Sequence, residues 1–291
     1  MRILEPSVKL LVPEDNISHV AKCARVCYGK ESGDDKHLID ALIKNKHLSM
    51  FRHATYYYIV PANKDIFVAD LCMKLLDAQF VVINDSEVIK QFIPGYEIKL
   101  YRTDEFYIAI NGNYLLDHSD VLTILEPYRV TSEKFANTEL GFDLMRYTFE
   151  CVTQISTSRE LNRVSPNNIA EQSTRYVYED GSIVRPHWIT LDSCIEYEHY
   201  VTYDDTNPQH VYLNNCKKDF AKYQWLVEHG VKKQDARGLL PIDTATKVIY
   251  TYSIREWRHI LDLRCDNRAH PNARIIANMI KHEFKEQGYG F

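Results

Sequence analysis

Residues 163–176, RVSPNNIAEQSTRY, place Arg163, Arg175, Glu171 and two serines, Ser165 and Ser173, in a segment with neither strand alternation nor a helical stripe. A stretch this polar is either a solvated loop or one wall of a site that holds an anion. The flanking segments are patterned. YTFECVTQI (147–155) alternates and predicts a strand leading toward it. Downstream, NPQHVYLNNCKKDFAKYQWLVEHG predicts a long amphipathic helix ending at Gly230. SIREWRHILDLR (253–264) and HPNARIIANMIKHEFKEQG (270–288) predict two more helices.

Toward the N-terminus, residues 15–28 put Ile17, Val20, Ala21, Ala24 and Cys27 on one helical face, with Asp15 or Asn16 as cap and Gly29 as stop. DKHLIDALIKNK adds a helix with Leu38, Ala41, Leu42 and Asn45 as its stripe. ATYYYIV (54–60), β-branched and aromatic and closed by Pro61, predicts a strand. FYIAINGNYLL sets Asn-Gly between apolar runs and predicts a hairpin. Elements in this mixed order favour one α+β domain over residues 1–291, with the least patterned region, 61–146, as an insertion.

Composition removes several classes. At 45% hydrophobic over 291 residues, the chain has enough apolar side chain for a large core. A net charge of −5 argues against a general nucleic-acid binder. No apolar run approaches a membrane span, and MRILEPSVKLL lacks a signal peptide's apolar core. Seven cysteines without a C-x-x-C pair predict reduced thiols in a cytoplasmic protein. Neither G-x-G-x-x-G nor a Walker A motif occurs.

Arginine recurs where lysine is the commoner surface choice: Arg163, Arg175, Arg237 in DARGLLP, and Arg255, Arg258 and Arg264 among Trp257, Ile260, Leu261 and Leu263. At least one of the last three is expected to point inward, where a guanidinium needs an anionic or planar partner. Either several arginines converge on a phosphate and carbonyl ligand, or they pair with Glu160, Glu171, Asp235 and Glu256. No metal site is expected: the two histidines of HLSMFRH (47–53) lack metal-ligand spacing, and EYEHY (196–200) predicts a solvated helix or loop. Cys23 and Cys27 lie one helical turn apart as small hydrophobes. Cys265 is either packed or activated beside Arg264.

SRELNRVSPNNIAEQSTRY resembles the signature of the flavin-dependent thymidylate synthases, R-H-R, seven residues, then S-x-R-Y. Arg163, the seven-residue gap, Ser173, Arg175 and Tyr176 are kept. KHLIDALIKNKHLSMFRH resembles the family's helix followed by H-x-S/T-x-F-E-H, and ARGLLP with TYSIREWRHILDLRCDNRAHP resembles its later motifs. The resemblance implies a central, largely antiparallel twisted sheet flanked by helices, in a homotetramer whose sites are shared between subunits. It implies deoxyuridine monophosphate (dUMP) held by Glu160, Arg163, Glu171, Ser173, Arg175, Arg237 and Arg264, with Arg264 catalytic at the uracil edge. It implies FAD near His47, Ser49, Arg163, Ser165, Glu171, Ser253, Arg255 and His259, with methylenetetrahydrofolate and NADPH as the other cofactors. No P-C-x-Q tetrapeptide of the cysteine-dependent synthases occurs.

The departures gather on the flavin side. R-H-R reads Arg163-Val164-Ser165, the acid of F-E-H is Arg52, the Asn of N-x-R is Ser253, and a further Asn or aromatic position is His259. Three expectations stay open: reductive methylation with altered FAD contacts, flavin-free C5 modification such as hydroxymethylation, and a nucleotide-binding subunit without turnover.

Overall fold

Val248, Tyr250 and Tyr252 alternate with Ile249 and Thr251, and all five are buried. A strand buried on both faces must be covered on both. The structure, a computed structural model, describes residues 1–63, 65–78, 80–84, 87–90, 95–163, 168–190 and 205–290. Ala245–Ser253 pairs antiparallel with Arg146–Gln154 from end to end, Ala245 opposite Gln154 and Ser253 opposite Arg146. Ser7–Leu11 adds to one side and Ile169–Glu171 to the other, making a four-stranded antiparallel sheet.

Helices cover both faces of this sheet. On one, Ile254–Arg264 and Pro271–Glu286 bury Trp257, Leu261, Ile276 and Phe284 against Phe149, Val248 and Tyr250. Trp257 meets Phe149 edge-on at 5.2 Å, the geometry that ring quadrupoles favour. On the other, Asn16–Val26 lays Cys23 and Val26 over Ile249 and Ala170. Asp15 caps that helix by accepting from the backbone N–H groups of Ile17 and Ser18. Gly29 ends it at φ +62°, and a Cβ there would stand 3.0 Å from Val177, so this helix end is seated on the 173–177 turn.

Thr55–Pro61 is a strand, as its residues predict, but it belongs to a second sheet. It pairs with Glu105–Asn111 and Arg129–Val130, and Tyr96–Tyr101 completes the set. The expected single central sheet is thus two four-stranded antiparallel sheets. The physical reason lies in Thr55–Pro61, which has two apolar faces. Tyr58 and Val60 pack with Phe106, Ile108 and the helix Ile66–Asp77, while Tyr57 joins Phe135 in the core shared with the first sheet. Two short pairs complete the strands among the described residues: Arg2–Leu4 parallel to Ser182–Val184, and Phe80–Asn84 antiparallel to Glu87–Lys90.

The Asn-Gly hairpin is not formed. Asn111 caps the helix Gly112–Asp117, its side-chain oxygen accepting from Tyr114 N at 2.9 Å. The reversal falls instead at Arg102 and Thr103, both at positive φ, between Tyr96–Tyr101 and Glu105–Asn111. Asn serves as a cap as readily as a turn residue, and the apolar run after Gly112 favours the cap. The long helix is Pro208–Glu228, with Gly230 beyond its end at φ +90°; it packs Leu213 and Phe220 against Ile3 and Ile183. No helix among the described residues is long and apolar enough to cross a membrane.

None of the three arginines on Ile254–Arg264 is fully buried; Arg25 is, at 9% exposure, while the half-buried Arg146 is the guanidinium that joins the two sheets. Arg258 is exposed and pairs with Asp143, and Arg264 is half-buried. Arg146 donates through Nη1 to Ala54 O (3.1 Å) and Thr55 Oγ1 (2.9 Å), and through Nη2 to Arg52 O (2.9 Å) and Thr251 O (3.4 Å). Its own N–H donates to the Tyr57 hydroxyl at 3.0 Å. One side chain of the first sheet thereby holds the start of the second. Burial lowers its pKa, and Glu256 opposes that shift. Beside it runs a buried chain of hydrogen bonds: His19 Nε2, Thr148 Oγ1, Thr251 Oγ1 and His53 Nδ1. Burial drives His53 down to about 3 and His19 to about 4, so both are neutral near pH 7.

Arg146→Met removes a donor from the Arg52, Ala54 and Thr251 carbonyls and the Thr55 hydroxyl and should cost about 3 kcal/mol, measured as the shift in urea midpoint at constant slope. Arg146→Lys should recover less than half, because an ammonium cannot span all four acceptors. A midpoint unchanged in both variants would show that the sheets meet without this side chain.

Candidate functional site

The central strand pair delivers the site residues. Arg146–Gln154 runs directly into the helix Ile155–Asn162. Ile155 N and Ser156 N donate to Thr244 O and Ile242 O, pinning that helix start to the segment before Ala245–Ser253. Ile169–Glu171 follows the edge of Ala245–Ser253, and Gln172 N extends the pairing to Lys247 O at 2.9 Å. The chain then turns: Ser173 N donates to Cys27 O, and Tyr176 N and Val177 N donate to Ser173 O. Tyr176 packs on Tyr28 with ring centres 5.3 Å apart.

Between these three pieces and residues 237–242 lies a cavity of about 630 Å³. Ser158, Arg159, Glu171, Gln172, Ser173, Thr174 and Arg237 form its polar lining, with Ile155, Leu240 and Ile242 among the apolar part. Glu171 Oε1 accepts from Ser158 Oγ at 2.6 Å and from Thr246 Oγ1 at 3.3 Å. Burial raises its pKa, and those hydroxyl donors oppose the shift. Arg237 Nη1 donates to Thr174 Oγ1 at 3.4 Å. Two guanidinium groups, three hydroxyls and one fixed carboxylate make a set suited to an anion joined to a neutral polar group.

The expected substrate residues fall into two groups. Glu171, Ser173 and Arg237 line the cavity. Arg175 follows in the turn, exposed, with its guanidinium over the Tyr176 ring at 5.4 Å. Glu160, Arg163 and Arg264 are outside the lining and form a group of their own. There Arg163 approaches Glu160 at 3.5 Å, and Arg264 Nε donates to Glu160 O at 3.0 Å. Arg159 and Glu160 are neighbours in sequence, but consecutive helical positions point about 100° apart, which splits the groups.

The expected flavin residues outside the cavity are on two other elements. His47 and Ser49 are exposed around the short helix Leu48–His53. Arg255 is half-buried and His259 exposed on Ile254–Arg264. Ser253 is 1% exposed. Its hydroxyl accepts from Glu256 N, completing a capping box, and donates to Glu97 at 2.8 Å. Ser165, with Val164, lies outside the described residues, as does EYEHY (196–200). The thiols are packed: burial pushes Cys23, Cys27 and Cys265 up, which corrects the option of an activated Cys265.

Arg159, Gln172, Thr174 and Ser158 were not anticipated from sequence. The available signal was position: Arg159 precedes Glu160 on the helix fed by the central strand, and Gln172 and Thr174 flank Ser173.

The family profile described as Thymidylate synthase complementing protein matches residues 139–287. The flavin-dependent thymidylate synthase of Thermosipho melanesiensis is 26% identical over 153 residues, 51% of this chain and 67% of that one. That of Pyrococcus furiosus is 25% identical over 154 residues, 45% and 63% of the two chains. Among solved structures, a UMP/dUMP methylase PolB from Streptomyces cacaoi bound with 5-Br dUMP aligns with 17% identity and a TM-score of 0.43, covering 98% of this chain and 93% of that one.

Arg159→Ala and Arg237→Ala should each weaken binding of a nucleoside monophosphate by roughly ten- to a hundredfold, the worth of a charge-assisted hydrogen bond, with the unfolding midpoint unchanged. Calorimetric titration measures this. Unaltered affinity in both variants would exclude the cavity as the phosphate site.

Proposed function

The chain belongs to the thymidylate synthase complementing protein family, and we propose that it is a methyltransferase that converts dUMP to thymidylate by reductive methylation at C5. The observation that carries this reading is the lining of the cavity: Arg159, Arg237, Ser173 and Thr174 surround a space suited to a phosphate, with Glu171 held beside it by Ser158 and Thr246.

In this reading the two guanidinium groups and the hydroxyls take the 5′-phosphate, fixing the nucleotide by charge-assisted hydrogen bonds. Arg175 adds a further guanidinium at the mouth. Arg264 sits against the uracil edge, where its fixed charge stabilises the negative charge that builds on N3 and O4 as C5 reacts. Because Glu160, Arg163 and Arg264 lie outside the lining of the cavity in their own chain, a neighbouring copy supplies them, in a homotetramer with shared sites. The six described cysteines are unpaired, which supports a cytoplasmic setting.

The residues present fit FAD in part. His47, Ser49 and His259 offer exposed donors and Arg255 a half-buried one, of the kind that hold a dinucleotide's diphosphate, whereas Ser253 is buried and already occupied. When bound, FAD supplies the hydride, methylenetetrahydrofolate the carbon and NADPH the reducing equivalents. The burial of Ser253 favours one second reading: folate-dependent C5 modification that needs no hydride, such as hydroxymethylation. Glu97 would keep that serine from a flavin whichever reading holds.

The visible absorption spectrum of the purified protein with FAD and dUMP, followed by product analysis with methylenetetrahydrofolate and NADPH, separates these. Reductive methylation predicts a protein-bound flavin spectrum and thymidylate as product. A protein that takes up dUMP but never flavin would overturn it in favour of the second reading.

A further inference from the structure

Gln172 lines the cavity, yet its amide nitrogen is directed away from the space. Nε2 donates to Glu179 Oε1 at 3.5 Å. Glu179 is buried at 5% exposure, and among the described residues it has no ion-pair partner. Its position is fixed through its backbone: its N–H donates to the Tyr223 hydroxyl at 3.4 Å, and its carbonyl accepts from Gln224 Nε2 at 3.5 Å, both on Pro208–Glu228. A carboxylate can only accept, so an ionised Glu179 orders the two ends of the Gln172 amide: nitrogen toward Glu179, oxygen toward the cavity. Gln172 Oε1 accepts no hydrogen bond among the described residues. Glu171 Oε1, one residue back, already accepts from two hydroxyls.

Resting on the dUMP reading above, we infer that Gln172 Oε1 accepts a hydrogen bond from the sugar 3′-hydroxyl of the nucleotide, and that Glu179 is the positioning residue that turns this acceptor into the cavity. The rest of the free polar lining consists of donors suited to phosphate: Arg159, Arg237, Ser173 and Thr174. The moiety bonded to a 5′-phosphate is the sugar, so an acceptor adjacent to Ser173 meets the sugar before the base. An acceptor with a fixed direction rejects an analogue lacking the hydroxyl, because it would be left unpaired. Burial pushes the Glu179 carboxyl up to about 7, so it is ionised at pH 8.

The test is calorimetric titration at pH 8 with dUMP and with 2′,3′-dideoxyuridine 5′-monophosphate, which lacks the 3′-hydroxyl. Wild type should prefer dUMP by roughly tenfold. Gln172→Leu should bind the two equally, as should Gln172→Met, which keeps the side-chain length and covers a folding failure of the first variant. Glu179→Gln, whose amide can pair with either end of Gln172, should reduce the preference, and should change nothing further in the Gln172→Leu background. A merely structural Glu179 would shift the unfolding midpoint and leave the preference intact. An undiminished preference in the Gln172 variants, with dUMP still bound, would overturn this inference and leave the proposed function standing. A wild-type protein that binds neither nucleotide would overturn both.

Discussion

The pairing of Arg146–Gln154 with Ala245–Ser253 along the full length of both strands is the constraint on which the rest depends. Three of its four ends feed parts of the proposed catalytic machinery. Gln154 leads into the helix with Ser158 and Arg159, and residues before Ala245 carry Ile242 and Arg237. Ser253 starts the helix with Arg255, His259 and Arg264. Ile169–Glu171, zipped to the same strand, sets Glu171 and the 172–174 turn. In an antiparallel pair a slip of one residue sends every side chain to the other face. The burial of Phe149, Val248 and Tyr250 on one face and Ile249 on the other therefore fixes the positions of the cavity-lining residues.

Arg146 and Ser253 stand opposite each other at the far end of that pair, and both connect the first sheet to the second. Arg146 reaches the carbonyls of Arg52 and Ala54 and the hydroxyl of Thr55, and Ser253 reaches Glu97. A half-buried guanidinium whose hydrogen bonds go to neutral acceptors is held by several bonds at once, and its replacement removes a donor from each of them. The same junction carries Leu48–His53, so the elements bearing His47 and Ser49 are held by these bonds. Residues between 61 and 146 contribute the second sheet's other strands, and Tyr107 and Ala109 from them enter the core shared with the first sheet.

Where one residue type has one dominant use, the sequence predicts the structure. Asp15 caps its helix, Gly29 and Gly230 end theirs at positive φ, and the helices of 253–264 and 270–288 appear within a residue or two of their expected bounds. Where a residue has two uses, the tertiary setting decides. Asn111 caps a helix in place of turning a hairpin, and Ser253, expected near FAD, caps a helix and pairs inward with Glu97. Arg146 gave no local sign, since its acceptors are backbone carbonyls remote in sequence. Glu171, Ser173 and Arg237 were legible through the resemblance to a family's motifs, and they do share one cavity. Gln172 and Glu179 were not, because their relation exists only after the 173–177 turn folds back.

The most direct measurement is the crystal structure of the protein with dUMP. The account predicts the phosphate between Arg159 and Arg237, within hydrogen-bonding distance of Ser173 and Thr174. A nucleotide phosphate bound at any other place, with this cavity left to solvent, would contradict it.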